Sequence, residues 1–170
     1  HVVAAVGGGA LYRQASVRRG QAGQQVLPDW LNITEQPHLL RGRASTCFDA
    51  EGVATAESPL VSGGVLQRYL LGSYAARKLG LASTGNAGGA HNIVVGRGGD
   101  DFDAMLRRMD AGLVVTELMG QGVSTVTGDY SRGASGFWVE RGRIAYRVVG
   151  VTIAANLTDM LANLVAVGGA

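Results

Sequence analysis

Apolar side chains recur along this chain with two periods, and each period predicts a kind of element. Phe102, Met105, Leu106 and Met109 follow the i, i+3, i+4, i+7 spacing of one helix face. Asp101 and Asp103 stand at the positive end of that helix, and Gly112 is placed to close it. Leu157, Met160, Leu161, Leu164 and Val165 repeat the pattern, with Asn156 or Thr158 as the cap. A further helix is predicted from Ser73 to Gly80, with Ser73 as N-cap, Ala75 and Ala76 favouring helix, and Gly80 as the stop. The opening, through Gln14, is apolar and small around Gly7-Gly8-Gly9, which predicts a short helix or turn.

The second period is two. Phe137, Val139, Ile144, Tyr146 and Val148 describe two strands joined at Arg141-Gly142. Alternation predicts Phe137 and Val139 buried on one face, with Ile144 and Tyr146 as partners, and Trp138 on the other face. Val26 to Ile33 reads as a strand entered through Pro28, with Pro37 ending it. Gly63-Gly64 marks a hairpin turn whose second arm runs from Val65 to Leu71. Ser45 to Thr55 reads as a loop leading into a strand, Ser83 to Gly89 as a loop, and Leu113 to Thr116 as a short strand. Strands outnumber the short helices and no internal repeat is evident. The predicted class is α+β, a mainly antiparallel β-sheet with a few short helices.

Composition narrows this picture. The 170 residues fit one domain of ordinary size, and 46% apolar content makes it globular. No signal-peptide pattern or membrane span is visible, so no membrane partner is expected and a cytoplasmic location is. The formal charge of +2 is too balanced to imply a nucleic-acid partner. Cys47, the single cysteine, cannot form an intrachain disulfide and suits a reducing compartment. It reads as a small, half-buried residue.

Catalytic chemistry is sparse. His1, His38, His91 and Cys47 lie too far apart in sequence to form a self-contained metal site. There is no Gly-x-Ser-x-Gly elbow, and Gly85-Asn86-Ala87-Gly88-Gly89 lacks the Lys-Ser/Thr of a phosphate-binding loop. Asp49, Glu51, Glu117 and Asp129 have the character of turn or capping acids. The stretch from Glu117 to Gly142 is different: six glycines are mixed with polar side chains. The residues alone read as a binding or scaffold domain.

That stretch also carries a resemblance. "TELMGQGVSTVTGDYSRGASGFWVERGRIAYRV" and "TIAANLTDMLANLVAVG" resemble the PmbA type, also called TldE, of the TldD/PmbA metallopeptidase family, once described as modulators of DNA gyrase. So do "GGALYR", "LPDWLNI", "RASTCFDAEGVAT", "YLLGSYAARKLGL" and "STGNAGGAHN", in the family's order. The resemblance implies that residues 1–170 are most of the C-terminal domain, with an N-terminal domain and a final β-rich stretch outside this chain. It implies an oligomer in which a TldD-like subunit holds zinc on a His-Glu-x-x-x-His helix and a later cysteine. This subunit would be catalytically silent, with no cofactor of its own, and the assembly would process or degrade unfolded peptides. His1 falls about where the second zinc histidine of a TldD-type chain lies, but "VVAAVGGGALYR" follows it in place of an acidic continuation.

On this view Glu117, Gln121, Asp129, Tyr130, Ser131 and Arg132 are candidate peptide-binding or interface residues. Glycines along an exposed edge within 120–136 would let a peptide add as a strand and be held by its backbone. Alternatively, Gly128 to Gly136 only shapes the turn before the hairpin. The rival function is a homo-oligomeric regulator of the gyrase-modulator type with no peptidase partner.

Overall fold

The computed structural model describes residues 2–169 and divides them into two compact units. The first unit comprises the chain up to Gly96, with Thr125–Thr127 and Leu161–Asn163. It contains α1 (Val2–Ala5), α2 (Gly8–Tyr12), β1 (Ile33–Glu35), β2 (Ser58–Ser62), β3 (Val65–Leu66), α3 (Ser73–Leu79) and β4 (Ile93–Val95). Its four strands form one antiparallel sheet in the order β3-β2-β1-β4. Val6, Leu11, Leu60, Val61, Leu66 and Leu71 are almost wholly buried and form its centre. α2 packs on α3 so closely that a Cβ on Gly8 would lie 2.5 Å from that of Ala75.

The hairpin at Gly63-Gly64 is as expected, with φ of +55° and +73°. Its second arm, however, keeps strand geometry only at Val65–Leu66. Leu66 exchanges bonds with Gln24 and Gly23, and Leu70 turns away to bond Val6 and Gly8. The expected strand from Val26 is absent too, and only Ile33–Glu35 is extended. Val26 and Leu27 both donate to the Gly64 carbonyl, and Leu31 donates back to Pro28. The segment thus crosses the hairpin tip, and Pro28 has no N–H to pair along it. The loop 45–55 leads into β2, as expected, and a single bridge, Phe48 to Ala54, lies within it. α3 ends at Gly80, in the left-handed conformation at φ +68°, as expected. Gly72 stands at the N-cap, and Ser73 is the first helical residue.

The second unit comprises Arg97–Ser124, Gly128–Met160 and the residues from Leu164. It holds α4 (Phe102–Met109) and an antiparallel meander of β5 (Gly112–Met119), β6 (Asp129–Glu140) and β7 (Arg143–Asn156). α5 (Leu157–Ala162) follows. Asp101 caps α4, its Oδ1 accepting from the Ala104 N–H at 2.7 Å. Asp110 (φ +59°) ends that helix, and Gly112 begins β5 instead of closing α4. α5 starts with Asn156 Oδ1 accepting from the Thr158 N–H, and stops before Leu164 and Val165.

The hairpin turn at Arg141-Gly142 has two positive φ values, the signature of the two-residue turn expected there. The facing of its arms departs from simple alternation. The register is Trp138 to Tyr146 and Val139 to Ile144, with an irregularity between Trp138 and Val139. One extra residue on β7 shifts the pairing. Val139 is fully buried, but Phe137 is 36% exposed, Ile144 48% and Tyr146 55%, so the expected shared buried face does not form. β6, between two neighbours, carries the buried positions Tyr130, Ala134, Ser135 and Val139.

Gly64 tests the hairpin of the first unit. A Cβ there would sit 2.2 Å from the Leu27 carbonyl oxygen, on a backbone with φ +73°. Gly64→Ala is expected to lower unfolding free energy by roughly 2 kcal/mol or more. Gly52→Ala, at φ +78° but with nothing within 4 Å, should cost only about 1 kcal/mol. Urea unfolding of the two variants measures the difference.

Candidate functional site

Within the first unit a cavity of about 470 Å³ opens between α1, the run Gly7–Gly9, the start of α3 and the loop Asn86–Ala90, with Glu51 in its wall. The shape of this cavity depends on how a glycine-rich loop is held. Asn86, buried at 4% exposure, donates from Nδ2 to Glu35 Oε1 at 2.8 Å. The His91 backbone N–H donates to the same oxygen at 2.7 Å, and His91 Nδ1 lies 3.0 Å from it. A carboxylate only accepts, so Nδ1 carries the proton. Arg68 Nη2 donates to Glu35 Oε2, and Arg68 Nη1 donates to Asn86 Oδ1 at 3.0 Å. Glu35 itself is 2% exposed on β1.

A second carboxylate holds the same loop. Asp49 Oδ2 accepts from the Ala87 N–H at 2.9 Å, while Oδ1 accepts from the N–H groups of Glu51 and Val53. Glu51 Oε2 accepts from the Ser73 N–H at 2.7 Å at the start of α3. Asp49 and Glu51 therefore do the turn and capping work that their type suggests.

Both anchors are held as anions. Burial pushes the Glu35 carboxyl upward, but the His91 N–H, the Arg68 guanidinium and the Asn86 amide outweigh it and bring it below the usual glutamate value. At Asp49 burial is likewise outweighed, here by the N–H groups of Ala87, Val53 and Glu51. A carboxylate with a depressed native value stabilises the fold above its unfolded-state value and loses that contribution as pH falls through the native one.

The six candidates from the sequence all belong to the second unit and line none of this cavity. Glu117 is exposed on β5, opposite Ser135, and Gln121 is exposed in the following loop. Asp129, Tyr130, Ser131 and Arg132 open β6, paired with Asn156, Ala155, Ala154 and Ile153 of β7. Tyr130 is buried, Asp129 and Ser131 are exposed, and Arg132 is half-buried, its Nη2 donating to the Leu118 carbonyl at 3.3 Å. The turn-shaping alternative fails here, because Asp129–Gly136 is strand. The expected open edge fails as well: β7 pairs with β6 along its length, β5 pairs with it from Gly133, and at its start Ser124 donates to the Asp129 carbonyl and Ser131 to the Gly122 carbonyl. Its glycines serve that pairing: a Cβ on Gly136 would lie 1.9 Å from the Val114 carbonyl oxygen.

The metal-ligand candidates also have structural places. His38 Nε2 lies 3.0 Å from Thr55 Oγ1, and His91 is bound to Glu35. Cys47 is exposed, not half-buried. His1 lies outside the described residues. Among the described residues no three His, Cys, Asp or Glu side chains assemble for a metal ion.

Sequence reasoning missed Glu35, Arg68 and Asn86. They are separated by 33 and 51 positions from their partners, and no local signal links them. The expected behaviour of the anchors is directly measurable. Thermal stability should be flat near neutral pH and fall below about pH 4.5, near the ordinary glutamate value. Glu35→Gln should flatten part of that acid limb, which melting curves from pH 7 to pH 2.5 would reveal.

Comparison with known proteins now bears on this geometry. The family model described as PmbA/TldA metallopeptidase C-terminal domain matches residues 1–170. The chain is 57% identical over 168 residues to Metalloprotease PmbA of Escherichia coli O157:H7, covering 99% of this chain and 37% of that protein. It is 56% identical to the Metalloprotease PmbA homolog of Haemophilus influenzae, covering 98% and 37%. Against the Metalloprotease TldD homolog of H. influenzae identity is 25%, over 89% of this chain and 34% of the other. The chain thus spans little more than a third of the length of these relatives. Crystal structures of proteins described as candidate modulators of DNA gyrase superpose with TM-scores of 0.93 (Bacteroides thetaiotaomicron, 30% identity, 98% of this chain and 38% of that one) and 0.88 (Thermotoga maritima, 36%, 97% and 40%). TldE from Thermococcus kodakarensis shares the α+β fold at TM-score 0.85 and 24% identity, over 98% of this chain and 40% of its own. With a family model covering every residue and these PmbA relatives alongside, the chain belongs to the PmbA/TldA metallopeptidase C-terminal domain family.

Proposed function

We propose that this chain serves as a PmbA/TldE-type subunit of a two-component metallopeptidase that processes or degrades unfolded peptides. The observation that carries the reading is the contrast in identity across nearly the whole chain: 57% with a PmbA and 25% with a TldD homolog. In this reading the chain is not the catalytic one. It supplies chamber wall and subunit interface, and the zinc sits on a TldD-like partner in a cytoplasmic oligomer. Glu117, Gln121, Asp129, Tyr130, Ser131 and Arg132 remain interface candidates in the second unit.

An enzyme that accepts varied unfolded peptides holds them by the main chain, and that requires an unpaired strand edge. In the first sheet β4 is such an edge, beginning just after the loop that walls the cavity. Gln36 donates to the Asn92 carbonyl and Gly96 to the Asn32 carbonyl. These bonds flank Val94, opposite Thr34. In an antiparallel ladder this turns the Val94 backbone toward β1 and the N–H groups of Ile93 and Val95 outward. We assign peptide-backbone recognition to that outward edge.

The proposal is tested by purifying the protein at its natural length alone, a TldD-type chain alone, and the two together. Cleavage of an unfolded peptide is expected only from the pair, with zinc following the TldD-type chain. Robust cleavage, or one tightly held zinc per chain, from this protein alone would overturn it. A homo-oligomer that never associates with the TldD-type chain would favour the regulator reading.

The edge has its own test. Val95→Pro removes an outward N–H and leaves the ladder bonds in place. Peptide turnover by the assembled enzyme should fall about tenfold or more, with a melting temperature within a few degrees of wild type. Arg132→Ala, at the proposed subunit surface, should weaken association between the chains and leave the peptide dependence of turnover unchanged. Co-sedimentation and KM measurements on the two variants separate the effects.

A further inference from the structure

The geometry points to a latch: residues 84–91 form a flap over the cavity that Glu35 holds shut, and that opens as one piece without unfolding the sheet. The ends of this segment are fixed. At one end Thr84 donates its backbone N–H to the Leu71 carbonyl and accepts from the Leu71 N–H through Oγ1. At the other, Gln36 donates to the Asn92 carbonyl, and Asn92 Nδ2 donates to the Gln36 carbonyl and to Ser45 Oγ.

Between those ends the attachments are few: the Asn86 N–H donates to the Leu71 carbonyl at 3.3 Å, and most of the rest are made to two carboxylates. Glu35 takes three bonds from Asn86 and His91 on one oxygen, and its other oxygen holds Arg68, which is itself bonded to Asn86. Asp49 takes the Ala87 N–H, and the Ala50 N–H donates to the Ala87 carbonyl. Gly85, Gly88 and Gly89 lie at φ +70°, +100° and +120°, giving the segment backbone freedom once released. A segment held by charged hydrogen bonds more than by apolar burial opens locally when those bonds are lost. Because several of the bonds converge on one carboxylate, losing it releases them together.

This differs from a carboxylate that merely stabilises the fold, whose loss would loosen the first unit evenly. The flap is also independent of what the cavity takes, so its test stands whether or not the peptidase reading does. Hydrogen exchange at pH 7, followed by mass spectrometry on the protein at its natural length, distinguishes the two. In Glu35→Gln, amides in 85–91 should exchange at least tenfold faster while those of β1 and β2 keep their protection. Asp49→Asn should raise exchange chiefly at Ala87 and its neighbours. If Glu35→Gln does not fold, His91→Ala removes a single bond to the same carboxylate and should give a few-fold change confined to the same segment. Unchanged exchange in 85–91, or a uniform loss of protection across the first unit, would overturn the latch.

Discussion

One buried anion organises the first unit. Glu35 is 2% exposed on a three-residue strand, where an uncompensated charge would be expelled to water or neutralised. It stays because three kinds of donor converge on it: a guanidinium, a side-chain amide, and the backbone and ring N–H groups of one histidine. The requirement is mutual. The glycine loop has little apolar surface to bury, and without an acceptor in the right place it would have no reason to adopt one conformation. The cavity wall therefore exists because a strand and a loop far apart in sequence each satisfy the polar groups of the other.

The second unit solves a different problem with different means. Its sheet is built by close backbone approach, and small residues in β6 and in the loop before it permit that. Gly136 leaves no room for a Cβ against Val114, and Gly122 would place one 1.9 Å from the Ser131 carbonyl oxygen. The polar, glycine-rich stretch that stands out in the sequence is thus largely a strand fitted between two others. Its exposed side chains, Asp129 and Ser131, are left on the surface by alternation along that strand.

What the sequence revealed follows from the range of the interactions concerned. α4 and its Asp101 cap, the stop at Gly80 and the turn at Arg141-Gly142 are local, and their signals lie within a few residues. Val26–Leu31 has the composition of a strand, but its backbone is claimed by the Gly64 carbonyl some forty positions away. The faces of the β6–β7 hairpin depart from simple alternation because of irregularities in pairing, which leave no mark in composition. The cavity was invisible for the same reason: Asp49 and Glu51 were readable as turn acids, whereas the partnership of Glu35 with Arg68 and Asn86 is purely tertiary.

The paired irregularities in β6–β7 also bear on how this sequence can change over evolutionary time. β7 is 14 residues long, rich in β-branched residues, and many of its positions would pack about equally well one step along. The shifts between Ala134 and Ser135 and between Trp138 and Val139 break that translational symmetry, so only one alignment of the two strands satisfies both. Substitutions along β7 are then cheap, since most of its side chains are exposed, but gaining or losing a single residue between the two irregularities would turn every side chain beyond it to the opposite face. Related chains should accordingly vary freely in residue type along this hairpin and hardly at all in its length.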